Sequence, residues 1–190
     1  MNQPQLFMRL PELSDLPPAA PLPPGCSLRA AVPVDHASIA EVLSEGFGDA
    51  WDAARVAQEF SAANGVEATY VVVSPAGVIA TAAARRMPDR YPDAGYLHYV
   101  GARSSERGRR LGEVVTRQVL VHFADAGLNQ AVLETDDFRL PAVRTYLRLG
   151  FVPEPRAAGD QLRWSKVLRN LTRARDDAAP ASRPALGTSS

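Results

Sequence analysis

Arg107-Gly108-Arg109-Arg110 sets three guanidinium groups and a glycine directly ahead of the amphipathic stretch LGEVV. The first N–H groups of a helix have no intrahelical partner, and the helix dipole favours an anion there. Gly108 and Gly112 let backbone come close to a ligand, while the arginines add charge and fork-shaped donors. Holding a phosphate is therefore one chemistry open to this segment. A solvated turn and a nucleic-acid patch are the others, and spacing alone does not choose between them. Two phosphate loops are excluded, because there is neither a Gly-Lys-Ser/Thr ending nor a G-x-G-x-x-G followed by an acidic residue.

Composition narrows the choice. The 190 residues carry 21 basic and 21 acidic side chains, so no bulk field draws the protein to nucleic acid or to an anionic membrane. No stretch approaches the ~20 apolar residues of a membrane span, and prolines interrupt the N-terminus where a signal peptide would need a continuous apolar run. The one cysteine, Cys26, excludes an internal disulfide framework and fits a reducing cytoplasm. His36, His98 and His122 stand far apart without cysteine partners, so no metal site is expected.

The elements that must hold the arginine cluster follow from pattern. Prolines at 4, 11, 17, 18, 21, 23 and 24 make residues 1–27 an extended arm rather than a helix or inner strand. Residues 170–190 are small and polar and read as a disordered tail, leaving 28–169 as the folded body. There SLRAAVP is a strand, and Asp35 caps a helix bearing Ile39, Val42, Leu43 and Phe47. A short helix with Ala53, Val56, Ala57 and Phe60 follows and stops at Asn64-Gly65. ATYVVVS and VIATAAARR flank PAG as a hairpin, and GYLHYVGA is the next strand. Leu111, Val114, Val115, Val119 and Phe123 mark one face of a helix ending at Gly127. QAVLET is a strand, Leu140–Leu149 a helix stopped by Gly150, and FVPE and QLRWSKVL close the body as strands. The order β-α-α-β-β-β-α-β-α-β-β is an α/β body.

Two segments within this order resemble one family. YVGARSSERGRRLGEVVTRQVL is similar to the acetyl-CoA-binding motif of the GNAT acyltransferase superfamily, R/Q-x-x-G-x-G/A opening a helix. Arg107 fills the first position and Gly112 the last, while Arg110 stands where the pattern has its middle glycine. LPAVRTYLRLGFVPE resembles the closing segment N-x-x-A-x-x-x-Y-x-x-x-G-F, with Ala142, Tyr146, Gly150 and Phe151 in place and Arg139 at the asparagine position. The resemblance covers about 140 residues. It implies one central, mixed, largely antiparallel sheet flanked by helices, with a splayed strand pair forming the acyl-CoA cleft.

It also implies an acetyl-CoA-dependent N-acetyltransferase that transfers the acetyl group directly to an amine of a small molecule, peptide or protein. By the resemblance, Val100, Gly101 and Ala102 offer backbone to the pantetheine arm. Gly108, Arg109, Arg110, Leu111 and Gly112 take the pyrophosphate with Arg107, and Arg103 and Arg109 reach the adenosine phosphates. Arg139 joins this cofactor set at its motif position. Tyr146 stands at the family's tyrosine and donates to the leaving sulfur.

A lysine-like amine at pKa ~10.4 costs about 4.6 kcal/mol to deprotonate at pH 7, so a base is needed. His98, two residues before Val100 on the same strand face, suits that task, with Tyr96 in reserve. Glu134, Asp136 and Asp137 end the next strand; they act through water, attract a cation or cap the helix that follows. By the resemblance, Phe47, Asp49, Trp51 and Asp52 fall in the region that often forms the acceptor side, with core packing of Phe47 and Trp51 as the competing reading. A non-catalytic acyl-CoA-binding module on the same fold is the alternative reading, and a homodimer is left open.

Overall fold

The computed structural model describes residues 4–176. Its strands are β1 (Leu6–Leu10), β2 (Ser27–Ala30), β3 (Val66–Ser74), β4 (Gly77–Arg86), β5 (Ala94–Ala102), β6 (Gln130–Thr135) and β7 (Val152–Pro153). The helices are α1 (His36–Phe47), α2 (Ala53–Glu59), α3 (Leu111–Asp125), α4 (Leu140–Arg148) and α5 (Asp160–Asp176). All strands join one sheet in the order β2-β3-β4-β5-β6-β1-β7. Each strand pair is antiparallel except β5 with β6, giving the mixed, largely antiparallel α/β sheet expected. No helix among the described residues is long and apolar enough to cross a membrane.

Alternation along the strands and helical spacing divide the core between the two sheet faces. Val72, Ala82, Ala84 and Leu97 pack with Leu111, Val115, Val119 and Phe123 of α3 on one face. Val71 and Val78 pack with Ile39, Val42 and Leu43 of α1 and Val56 of α2 on the other. Helix α1 ends on Gly48 in the left-handed conformation, φ 76°, which glycine adopts without a Cβ penalty. Asp35 precedes α1 but does not cap it: its carboxylate accepts from the Val32 N–H at 2.8 Å and pairs with Arg29.

The feature that shapes the site is the junction of β5 and β6. Their parallel pairing runs only from Ala94↔Gln130 through Tyr96↔Val132. Beyond that point β5 continues to Ala102 and β6 to Thr135 without pairing, so the sheet opens between them. Gly95 lies at the hinge; a Cβ there would come within 2.3 Å of the Phe123 ring. Glycine thus lets α3 seat directly on the last paired residues.

Two expectations are corrected. The arm contributes an inner strand, β1, between β6 and β7, with Leu6↔Thr135 and Met8↔Leu133 in register on one side. Pro4 and Pro11 bracket six residues, Gln5 to Leu10, whose N–H groups remain available, so the prolines delimit a strand rather than forbid one. Leu6, Met8 and Leu10 enter the α3-side core and Phe7 turns to the opposite face. QLRWSKVL is not a strand but the start of α5: Trp164, Val167 and Leu171 recur at helical spacing, the first two buried. The arm, not this segment, supplies the strand beside β6. Of the presumed tail, residues 170–176 continue α5, and 177–190 lie outside the described residues.

Candidate active site

Helix α3 begins where the arginine cluster ends. Arg110 is its N-cap residue, in left-handed conformation (φ 54°, ψ 25°), which explains why the resembling motif prefers glycine there. Its guanidinium turns onto the buried carboxylate of Glu113, Nε to Oε2 3.0 Å, and Arg148 of α4 approaches the same carboxylate at 3.3 Å. The side chain is drawn along α3 and the loop backbone is left open. Among the described residues, the N–H groups of Gly108, Arg110, Leu111 and Gly112 make no backbone hydrogen bond, whereas Glu113 and Val114 N–H already donate to the Arg110 carbonyl. Four free donors thus lie within five residues at a helix N-terminus, and the space where a Gly108 Cβ would stand is empty.

The arginines of this loop divide by what holds them. Arg107 is exposed and has no ion pair or side-chain hydrogen bond among the described residues, while Arg109 is paired with Glu106. Arg103, expected to reach phosphate, is tied to Glu41 and Glu45 of α1. Glu45 also accepts from the Ser104 N–H at 2.9 Å, the main reason its carboxyl lies below the usual range. Arg103 therefore pins the loop to α1 and is not free for a ligand.

Strand β5 carries a bulge. Ala83 pairs with His98 and Thr81 with Gly101, so Tyr99 and Val100 together stand opposite Ala82, and Tyr99 takes φ 45°. The expected parity of His98 with Val100 fails here, because one extra residue reverses the alternation. Val100 and Ala102 face α3, whereas Tyr99 and Gly101 face α1 and α2. Tyr96, His98 and Tyr99 consequently gather on one face, with the His98 and Tyr99 ring centroids 3.8 Å apart. Burial, with the charge of Arg85 adding, pulls the His98 imidazole down to about 4. It is neutral at pH 7 and a weak base. The Tyr96 hydroxyl donates to Glu134 at 3.1 Å, and Arg90 donates to the same carboxylate at 2.8 Å; burial first, then the Glu134 charge, raises the Tyr96 phenol.

Tyr146 of α4 lies in the α3-side core, 7% exposed, with its ring 5.9 Å from Phe151. Burial pushes its phenol up to about 12, opposed by the charge of Arg139, and the hydroxyl has no hydrogen bond among the described residues. Arg139 spans the opening of the sheet: its Nε donates to Asp136 at 3.1 Å and its guanidinium lies 4.0 Å from the centroid of Phe47. It lies against Phe47 at the end of α1, and none of its contacts among the described residues is with the loop of free N–H groups. Asp136 and Asp137 are held by Arg139 and Arg163 and neither caps α4. Asp52 caps α2 through the Arg55 N–H at 2.7 Å, Asp49 is an exposed partner of Arg55, and Trp51 is buried against Phe60 and Tyr99.

Sequence reasoning missed the Glu113–Arg148 anchor of Arg110, although Arg110 and Glu113 are three apart at a helix start. It also missed Tyr99, which only a bulge turns toward the cleft, and Arg85, which the β4–β5 register places opposite Tyr96.

This architecture, a sheet opened between two parallel strands with a helix N-terminus of free donors beside the opening, is that of an acyl-CoA-type transferase fold. Residues 36–151 match the acetyltransferase (GNAT) family, and the chain belongs to that family. A mycothiol acetyltransferase of Actinosynnema mirum is 29% identical over 154 residues, 77% of this chain and 51% of that protein. The chain spans about half the length of the curated relatives it matches across most of its own length. A GCN5-related N-acetyltransferase from Sphaerobacter thermophilus shares the fold at TM-score 0.62 and 21% identity, over 80% of this chain and 50% of that one. The Salmonella typhimurium protein yncA, whose structure contains its cofactor acetyl-CoA, aligns at TM-score 0.58 and 18% identity, over 67% of this chain and 80% of that one.

Proposed function

We propose that the protein is an acetyl-CoA-dependent N-acetyltransferase that acts on an amine. The observation carrying this reading is the set of four unpaired N–H groups, Gly108, Arg110, Leu111 and Gly112, beside the opening that begins after Tyr96↔Val132. Those donors and exposed Arg107 fit a pyrophosphate: they offer hydrogen bonds, positive dipole and charge in one place. Unpaired backbone on the β6-facing edge of β5, from Val100 to Ala102, fits the amide-bearing pantetheine arm. Acetyl-CoA, when bound, supplies an activated thioester carbonyl.

The chain's own groups then have three tasks. Tyr146 holds a proton beside the leaving sulfur; with its phenol pushed up to about 12 it stays a donor through the working pH range. Arg139, close enough to act electrostatically on Tyr146, favours negative charge developing there. The amine's proton leaves through water toward Glu134, whose carboxylate is fixed by Tyr96 and Arg90. His98 is left as a neutral wall of the cleft, since a group at about 4 holds a proton poorly at pH 7.

Calorimetric titration with acetyl-CoA and thiol release across a panel of amines test this reading together. Binding with release supports it. Binding without release across the panel supports the non-catalytic alternative, and absence of binding ends both. The same reading implies the cytoplasm as its compartment, where acetyl-CoA and reduced Cys26 would coexist.

A further inference from the structure

The wall opposite the Arg107–Gly112 loop carries charges that the reaction does not use. Arg85 is half-buried on β4, directly across the ladder from Tyr96 and two positions along from the Ala83↔His98 pair. Its Nε is fixed by the Asn64 carbonyl at 2.7 Å, yet it has no carboxylate within 4 Å among the described residues. Held by one backbone carbonyl and only half-buried, the guanidinium keeps terminal donors that an anion can take. Glu59 closes α2 next to Phe60, whose ring stacks on Tyr99 at 5.3 Å. Glu59 likewise has no ion pair among the described residues, and it is not paired with Arg85.

The charges of both groups act on the same tyrosine. Burial raises the Tyr99 phenol, the Glu59 charge raises it further, and Arg55 and Arg85 act against that. Arg55 is engaged by the Ala50 carbonyl at 2.9 Å and lies over the Trp51 ring. Asp49 is exposed and 3.9 Å from Arg55. A guanidinium and a carboxylate, each without an ion pair among the described residues, therefore act on a residue held at φ 45° at the bulge of β5.

We propose that this wall selects a zwitterionic acceptor, a free amino acid. Arg85 and the Tyr99 hydroxyl hold its carboxylate, and Glu59 meets its ammonium group on entry. The proposal rests on the acetyltransferase reading for the reaction that follows but not for binding itself. A guanidinium fixed by one backbone bond retains its terminal donors for a bidentate carboxylate, and an acceptor lacking that carboxylate leaves the guanidinium unpaired.

The test compares the common amino acids with their α-carboxamides, by calorimetric binding and by kcat/KM from thiol release, for wild type, Arg85→Gln, Arg85→Lys and Glu59→Gln. Wild type is expected to prefer at least one acid over its amide by 10-fold or more. Arg85→Gln should erase that preference through KM, Arg85→Lys should restore part of it, and acetyl-CoA binding should stay at the wild-type level in both. Equal binding of acid and amide by wild type overturns the proposal, as does an equal loss for both in Arg85→Gln. Preference for a dipeptide over every free amino acid overturns it in favour of a peptide acceptor. Because amino-acid binding is read without transfer, selective binding with no thiol release sustains the wall while ending the transferase reading.

Discussion

At the start of α3 the groups available to a ligand are backbone N–H groups, those of Gly108, Arg110, Leu111 and Gly112. Across the opening, Arg85, Tyr96, His98, Tyr99 and Glu134 meet only because three neighbouring strands carry them to one face. The first wall is local, fixed by a turn and a helix start within six residues. The second is non-local, and its composition depends on strand register and on one bulge. A local backbone site tolerates changes of side chain, whereas a wall assembled from side chains can alter its ligand by single substitutions while the fold persists. The proposed division of labour, common donor on the first and selective acceptor on the second, matches that difference.

The change expected to do most damage strikes the hinge that both walls share. In Gly95→Ala the new Cβ meets three atoms of the Phe123 ring at 2.3–2.4 Å, and Phe123 is fully buried. Overpacking at such a point costs about 1–3 kcal/mol or more, so thermal unfolding should show a marked fall in Tm together with loss of acetyl-CoA binding. An unchanged Tm would mean that α3 is free to lift away, and the opening would no longer be set by that contact.

Tyr146→Phe separates chemistry from both walls. The hydroxyl makes no hydrogen bond among the described residues, so the fold should hold, and kcat should fall by roughly 100-fold, the lower range for a positioned proton donor. Acetyl-CoA affinity should stay within about 3-fold. Because the phenol lies at about 12, wild-type kcat should show no downward limb from Tyr146 below pH 10. A kcat equal to wild type removes Tyr146 from the reaction.

The pH dependence of stability probes the acceptor wall. His98 has an ordinary value near 6.5 when unfolded and about 4 when folded. Between these values the unfolded chain binds more protons, so stability is complete above pH ~6.5 and falls as pH drops toward 4. Allowing for partial exposure, the loss is of order 2 kcal/mol, read as a shift in urea midpoint between pH 7 and pH 4.5. His98→Gln should flatten this slope and leave the midpoint of the kcat profile in place. A profile midpoint that moves with this variant would return His98 to the role of base.

How much could be read from the chain follows the same division. The loop, α3 and the α4 segment announce themselves through Gly108, Gly112, Tyr146 and Gly150, since turns and helix starts demand particular residue types over short spans. The order of the central elements was equally legible from periodicity. Strand β1 was not, because the pairing of Leu6–Leu10 with β6 is a contact across about 125 positions that no local pattern records, and the surrounding prolines argue against a strand. In α5, QLRWSKVL satisfies both periods over a few residues; only the tertiary burial of Trp164 and Val167 decides for the helix. The bulge at Tyr99–Val100 hides within an unbroken strand pattern, so everything placed by parity beyond it turns to the wrong face.

Arg110→Gly gives the finest test of the comparison, for there a side chain intrudes on the backbone wall. The residue is held at φ 54°, which glycine reaches without strain, but glycine also gives the unfolded chain more freedom and gives up the contact with Glu113. These effects oppose one another, and Tm should stay within roughly 3 °C of wild type. Glu113 keeps Arg148 at 3.3 Å, so the buried carboxylate is not stranded. The four N–H donors remain, and acetyl-CoA affinity should change by no more than about 3-fold, whereas Arg107→Ala, which removes the exposed unpaired guanidinium, should cost roughly 5- to 10-fold. If Arg110→Gly proves the more damaging of the two, the Arg110 guanidinium leaves Glu113 to reach the ligand, and this wall too would be built partly from side chains.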